Sequence, residues 1–369
     1  MRDFTDRIFT LGHSENPEAD FTALALEAFD FQKENCPVYR QYINLTGREN
    51  LHPSTIEEIP FLPIRLFKSK DVQTLHNADI LRSEDKEKHT RISEIFTSSA
   101  TTGMTPSHHI VPDVSIYERS FMEAFRMFYG ESGTYNLLAL LPSYLERKGS
   151  SLVYMADKLI AQARKNGAEG GFFLYDHDRL LDTLTRISLQ PSSAKKTILL
   201  GVSFALLDFG AFVKVQMPDP EDRRAIFGNV VIMETGGMKG RGKELSRNEL
   251  HSILSDAFCS SPIHSEYGMC ELLSQAYSTD SEGMFLTPPW MRVLARDLQD
   301  PFRILKPQSG KTCTGGLNII DLANLQSCCF IETEDRGTIY PGKENVRPAF
   351  TVDGRIFNAE LRGCNLLIE

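Results

Sequence analysis

The feature that most constrains this chain is an alternation that sets in near residue 92. Short apolar runs recur at residues 92–96, 136–141, 151–155, 171–175, 197–202, 211–215 and 229–234. Helix-like stretches fall between several of them, at 115–129, 155–165, 178–189 and 246–258. Runs of this length read as buried strands. Strands alternating with helices predict a largely parallel sheet covered on both faces, an α/β fold. Such sheets bind ligands at the loops leaving the carboxyl ends of their strands.

Other texture surrounds this core. Residues 17–34 read as a helix, with Phe21, Leu24, Ala25, Ala28, Phe29 and Phe31 at near-helical spacing and Pro37 beyond the end. Residues 59–67, IPFLPIRLF, read as an extended apolar segment punctuated by proline. Residues 82–91 are densely charged and read as an exposed excursion. After residue 300 the pattern is rich in strands and turns. The expected organisation is an N-terminal helical and extended region over 1–91, a binding core over 92–350, and a short tail over 351–369.

A net charge of −9 argues against non-specific binding to nucleic acid, which needs a basic surface. Charges at Arg2, Asp3, Asp6 and Arg7 break up the N-terminus before a leader-type apolar run can develop. No stretch has the length of a membrane span, so a cytoplasmic protein is expected. The seven cysteines form no CxxC pair, which points to buried thiols rather than a disulfide framework or a zinc site.

Five segments carry potential chemistry. Thr97-Ser98-Ser99-Ala100-Thr101-Thr102-Gly103 follows a predicted strand, and its hydroxyls and N–H groups suit phosphate oxygens, although it lacks the Walker ending. The bland reading is an ordinary polar loop. Residues 234–244, ETGGMKGRGKE, follow another strand; their glycines admit a close ligand, and Lys239, Arg241 and Lys243 add positive charge. The competing reading is a solvated surface loop. In residues 265–272, SEYGMCEL, Tyr267 offers a flat face for a purine and Glu271 an oxygen for magnesium. Taken alone, a core tyrosine and a solvated glutamate explain both. Residues 331–337, IETEDRG, place acids at a turn where they suit ribose hydroxyls, or serve as a plain acidic turn. Residues 353–365, DGRIFNAELRGCN, put Arg362 near Cys364, either stabilising its thiolate or flanking an incidental thiol.

In this order the five segments resemble the adenylate-forming superfamily of acyl-CoA synthetases, peptide-synthetase adenylation domains and luciferases. The narrower match is to the acyl-protein synthetase (LuxE) family, with phenylacetate-CoA ligases next; IPFLPIRLFKS and ETGGMKGRGKE speak for it. The resemblance spans about residues 50–365. It implies the large-domain fold of adenylate-forming enzymes without the usual full C-terminal domain. It implies ATP with Mg²⁺ as cofactors, and acyl-AMP formation followed by transfer of the acyl group to a thiol. Ser98, Ser99, Thr101, Thr102 and Gly103 then resemble the phosphate-embracing loop. Gly236 and Gly237 resemble the lining of the adenine and acyl pocket, Tyr267 with Gly268 the adenine-stacking segment, and Glu271 the magnesium ligand. Asp335 and Arg355 resemble the ribose-gripping pair, and Cys364 the cysteine that accepts the acyl group. Thr102 and Glu271 are expected to act on the reacting phosphate. Lys239, Arg241 or Lys243, or else a partner protein, is expected to stand in for the family's C-terminal lysine.

The chain departs from the pattern in places. Ala100 replaces a glycine of the phosphate loop, residues 104–107 lack its Pro-Lys ending, Cys270 replaces a threonine, and Phe357 replaces the hinge aspartate. The implied substrate is a fatty or aromatic carboxylic acid, and a reductase, acyltransferase or carrier protein would receive the acyl group. The alternatives are a ligase that uses free CoA, and a non-catalytic protein that keeps a nucleotide or acyl site.

Overall fold

The computed structural model describes residues 2–74, 93–98, 105–141, 149–190, 195–236, 245–306, 310–342 and 348–356. Its strands, in chain order, begin with β1 (Leu62–Pro63), β2 (Glu94–Thr97), β3 (His108–Val111), β4 (Tyr135–Leu140) and β5 (Gly170–Phe172). Next come β6 (Lys196–Val202), β7 (Val230–Thr235), β8 (His264–Tyr267), β9 (Ala276–Ser278) and β10 (Phe285–Leu286). The last are β11 (Met291–Arg296), β12 (Ile304–Leu305), β13 (Cys313–Asp321), β14 (Phe330–Tyr340) and β15 (Ala349–Arg355). The chain divides into two compact units: unit 1 is Met1–Ser93, Ser107–Pro112 and Pro289–Glu369, and unit 2 is Glu94–Pro106 and Asp113–Pro288.

Unit 2 contains the expected α/β texture. Its strands lie in the order β10-β9-β8-β7-β6-β4-β5. The run from β8 to β5 is parallel, while β9 and β10 are antiparallel additions. The chain leaves β4 for β5 on one side and returns to β6 on the other, so the order reverses beside the carboxyl end of β4. Two of the predicted strands are helical instead. Residues 151–155 open the helix Ser151–Lys165, where Ser150 caps the Val153 N–H and Met155, Ala156, Leu159, Ile160 and Ala163 turn inward. Residues 211–215 lie inside the helix Ser203–Gln216, which buries Phe204, Ala205, Leu206, Phe209, Gly210 and Val213. A short apolar run does not reveal its period, and a helix buried on most sides looks like a core strand. Phe209 packs against Phe258 at 5.8 Å and Phe227 at 6.3 Å between ring centroids. A Cβ at Gly210 would stand 2.9 Å from Ala257 Cβ, so the helix Arg247–Phe258 approaches closely only because that position is glycine. Each such buried phenylalanine contributes about 2–3 kcal/mol by area removed from water.

Unit 1 is the β-rich part. Its strands lie in the order β12-β11-β13-β14-β15, all antiparallel, with β1 parallel to β14. The predicted N-terminal helix is Pro17–Asn35: Asn16 caps the Ala19 N–H, Pro17 sits in the first turn where its missing N–H costs nothing, and Pro37 starts the next helix. Beside the apolar stripe, Gln32 is fully buried. Its Nε2 donates to the carbonyls of Asn324, Leu325 and Ser327 at 3.1, 2.9 and 3.3 Å, and its Oε1 accepts from the Cys329 N–H at 2.9 Å. Of the segment 59–67, only Leu62–Pro63 is a strand, and Ile64–Lys68 winds into a 3-10 turn. The core here is aromatic: Tyr39 stacks on Phe330 at 5.9 Å, with Phe29 and Phe61 edge-on to the same ring. Tyr39 meets its one polar need by donating to the Pro60 carbonyl at 2.6 Å. The predicted excursion at 82–91 lies outside the described residues.

Candidate active site

In unit 2 the parallel strands deliver the expected segments to one end of the sheet. β7 ends at Thr235 and runs into Gly236, whose φ of 68° is cheap only for glycine. Ser203, opening its helix, donates to the Gly236 carbonyl at 2.6 Å and to Glu234 Oε2 at 3.2 Å, which fixes the backbone at the strand end. β8 is parallel to β7 with Thr235 opposite Glu266, so Tyr267 and Gly268 emerge next to Gly236. The Tyr267 ring is mostly buried and meets Phe285 at 5.7 Å, and the Arg247 guanidinium covers Phe285 at 4.3 Å. Cys270 and Glu271 follow and are buried.

Ser98 leaves β2 close to the point where the strand order reverses. The Thr97 N–H donates to the Gly149 carbonyl at 2.7 Å, in the connection that leaves β4. Gly149 has φ of 94°, and a Cβ there would press on the Ile95 carbonyl at 3.0 Å. Ser99, Thr101, Thr102 and Gly103 lie outside the described residues, as do Gly237, Lys239, Arg241, Lys243 and Cys364.

A buried polar network surrounds these strand ends, and the sequence reading gives its members no role. On one face Glu234 lies 3.8 Å from Arg247 Nε and 3.7 Å from His251 Nε2, and His251 also meets Ser265 Oγ at 3.2 Å. On the other face Glu266 is buried and accepts a hydrogen bond from the Thr235 hydroxyl. Burial, with the Glu234 charge nearby, pushes the Glu266 carboxyl up to about 7 against the pull of the Thr235 bond. The aromatic side of that face is Tyr117, Tyr129 and Tyr277, whose phenols burial raises further from ionisation. His264 on the same strand is held below its ordinary value by burial. A Cβ at Gly268 would sit 2.6 Å from Glu266 Oε1, so this glycine makes room for the carboxylate. The one available signal was an acidic residue ending an apolar strand run, at Glu234; Glu266 sits in the polar stretch His264-Ser265-Glu266 and gave none.

Unit 1 brings Asp335 and Arg355 together. They are direct partners on β14 and β15, next to a register slip between Arg336 and Gly337. The slip leaves Asp353 unmatched and takes Gly354 to φ of 131°. The Asp335 N–H donates to Thr333 Oγ1 at 3.1 Å, and the Ile356 N–H donates to the Glu334 carbonyl at 2.8 Å, so the backbone on both sides of the pair is held.

The donor chemistry fits a nucleotide with magnesium. Glu271 is a buried carboxylate at a strand-end loop, a hard oxygen donor of the kind that magnesium selects. No group of three or more His, Cys, Asp or Glu side chains converges among the described residues. Burial raises the thiols of Cys36, Cys313, Cys328 and Cys329, which keeps them protonated and poorly nucleophilic. No described helix is long and apolar enough to cross a membrane.

No protein-family profile matches the sequence. The chain is 26% identical over 356 residues to the long-chain-fatty-acid–luciferin-component ligase of Aliivibrio fischeri, covering 93% of this chain and 86% of that protein. Among solved structures, a multidomain keto acid-selecting peptide-synthetase module with adenylation, ketoreductase and pseudo-Asub domains matches with a TM-score of 0.45 and 12% identity over 71% of this chain. The match spans 23% of that module. Over nearly its whole length, then, with the motif segments in order, this chain is similar to a long-chain-fatty-acid ligase.

Proposed function

We propose that the chain is an ATP-dependent, AMP-forming acid–thiol ligase that activates a long-chain fatty acid and passes the acyl group to its own Cys364. The observation that carries this reading is the near full-length likeness to a long-chain-fatty-acid ligase. In the first step a carboxylate oxygen attacks the α-phosphorus of ATP, the bond to the β-phosphate oxygen breaks, and pyrophosphate leaves. Negative charge gathers on phosphate oxygens in that transition state, so fixed donors and cations supply most of the acceleration. Ser98, Ser99, Thr101, Thr102 and Gly103 provide the donors, and Lys239, Arg241 and Lys243 the cations. Glu271 holds magnesium, which when bound neutralises phosphate charge.

Within unit 2, Gly236, Gly237 and Gly268 keep the backbone close to the nucleotide and Tyr267 offers its ring to adenine. Within unit 1, Asp335 accepts hydrogen bonds from the ribose hydroxyls, and Arg355, its cross-strand neighbour, assists it there. In the second step the Cys364 thiolate attacks the acyl carbonyl, a thioester forms, and AMP departs with the bonding pair. Residues 351–369 thus act as the arm that carries the acyl group to a reductase, acyltransferase or carrier protein. A cytoplasmic setting keeps that thiol reduced.

The test is covalent labelling with ATP, magnesium and a radiolabelled long-chain acid. The wild type should accumulate an acyl-enzyme that hydroxylamine cleaves, and Cys364→Ser should lose it while still making acyl-AMP. A hydroxylamine-sensitive acyl-enzyme in Cys364→Ser would overturn the assignment of that cysteine. CoA-dependent AMP release at full rate in the same variant would make the protein a CoA ligase instead.

A further inference from the structure

Arg296 ends β11 with only 6% of its side chain exposed, yet it carries a charge that is costly to bury. Its Nη1 donates to the Leu317 carbonyl at 3.0 Å and to Asn318 Oδ1 at 2.9 Å, and its Nη2 donates to the Thr333 carbonyl at 2.7 Å. Glu332 lies 3.6 Å from Nη2 and is its ion-pair partner. Burial outweighs that pairing on both sides, pulling the arginine down and pushing the Glu332 carboxyl up. Guanidinium keeps its proton regardless, so the site is a permanent buried cation.

The acceptors it serves mark the place where the β13–β14 ladder loses register. Gly316 opposes Arg336 and Asn318 opposes Glu332, so Leu317 alone faces Thr333, Glu334 and Asp335. At such a bulge the regular ladder bonds fail and a side chain is re-aimed. Here the guanidinium supplies donors to two main-chain carbonyls at the break. The chain of contacts continues outward: Thr333 Oγ1 donates to the Leu317 carbonyl at 2.7 Å and accepts from the Asp335 N–H at 3.1 Å. Space for the wedge is made by glycine, since a Cβ at Gly316 would stand 2.6 Å from Arg296 Cζ. An apolar side chain of similar volume would fill the hole without bonding these carbonyls, so packing alone does not explain an arginine here.

We propose that Arg296 is a positioning residue: its buried guanidinium sets the β13–β14 bulge and so aims Asp335 at the ribose. The inference rests on Asp335 being the ribose anchor. The experiment compares ATP with 2′-deoxy-ATP and 3′-deoxy-ATP in acid-dependent AMP release by the full chain, for wild type, Asp335→Asn, Arg296→Met and Arg296→Lys. Asp335→Asn should erase the preference for ATP over the deoxy analogues; if it does not, the ribose reading fails and this inference fails with it. Arg296→Met should raise KM for ATP about tenfold, the worth of one charge-assisted hydrogen bond, with kcat little changed and the preference falling by the same factor. Arg296→Lys should fall between, and it carries the comparison if the methionine variant does not fold. Hydrogen exchange at the Asp335 amide should quicken about tenfold in whichever variant folds, as its hydrogen bond loosens. If Asp335→Asn erases the preference while a folded Arg296 variant keeps it, and keeps Asp335 amide protection, the positioning role is refuted.

Discussion

Replacing Glu266 by glutamine should make the protein more stable at alkaline pH and leave it nearly unchanged in acid. The carboxyl is buried beside Thr235, with Tyr117, Tyr129 and Tyr277 around it, and folding pushes it from an ordinary 4.5 to about 7. Below pH 4.5 both folded and unfolded forms hold the proton, and burial costs no charge. Between 4.5 and about 7 the folded form binds more protons, so stability falls as pH rises through that window. Above it the folded chain buries a carboxylate at a cost of about 3 kcal/mol, taking about 1.4 kcal/mol for each factor of ten in the proton equilibrium. Glutamine keeps the shape and can still pair with the Thr235 hydroxyl, but it never ionises. Urea denaturation of both proteins at pH 5 and pH 8 should show the stability difference moving in favour of the variant by about 2.5 kcal/mol between the two. An equal difference at both pH values would show that the Glu266 carboxyl is not held protonated by the fold.

Gly268→Ala drives a Cβ to 2.6 Å from Glu266 Oε1 and should cost about 1–3 kcal/mol of overpacking, read by urea denaturation. Adding Glu266→Ala to it should cost less than the two single changes summed, because the colliding group is gone. Gln32→Ala takes their side-chain partner from the Leu325 and Ser327 carbonyls and the Cys329 N–H inside unit 1, while the Asn324 carbonyl keeps the Ser327 N–H, and should lose about 3 kcal/mol in the same assay. Replacing Lys239, Arg241 and Lys243 together with alanine should lower the adenylation rate by about two orders of magnitude, as loss of charge stabilisation does elsewhere. An unchanged rate would remove those cations from the mechanism.

What the sequence disclosed and what it hid divide along physical lines. Strands β4, β6 and β7 were legible because Leu137–Leu140, Ile198–Val202 and Val230–Met233 are unbroken by polar residues. The helices Ser151–Lys165 and Ser203–Gln216 were half misread, because each contains a run too short to show whether its period is 2 or 3.6. Gly236 at a strand end followed from the apolar run at 229–234, but Tyr267 and Gly268 beside it did not, because the polar stretch His264–Glu266 hides strand β8. The cross-strand pairing of Asp335 with Arg355 did not, because an antiparallel register across a bulge is set by contacts twenty residues apart. Gln32, Glu234, Glu266, His251 and Arg296 were invisible for a shared reason. Each is a polar residue inside the fold, and a polar letter reads as surface until the partners that satisfy it are placed.

The central claim is that the chain forms an acyl-adenylate reversibly, and ATP–pyrophosphate exchange measures that step without depending on any later acceptor. Labelled pyrophosphate should enter ATP only when a carboxylic acid is present, most rapidly with long-chain acids in a panel of short-chain, long-chain and aromatic ones. Exchange no faster than the acid-free background with every acid in the panel would contradict the account and return the protein to the class of non-catalytic nucleotide or acyl binders.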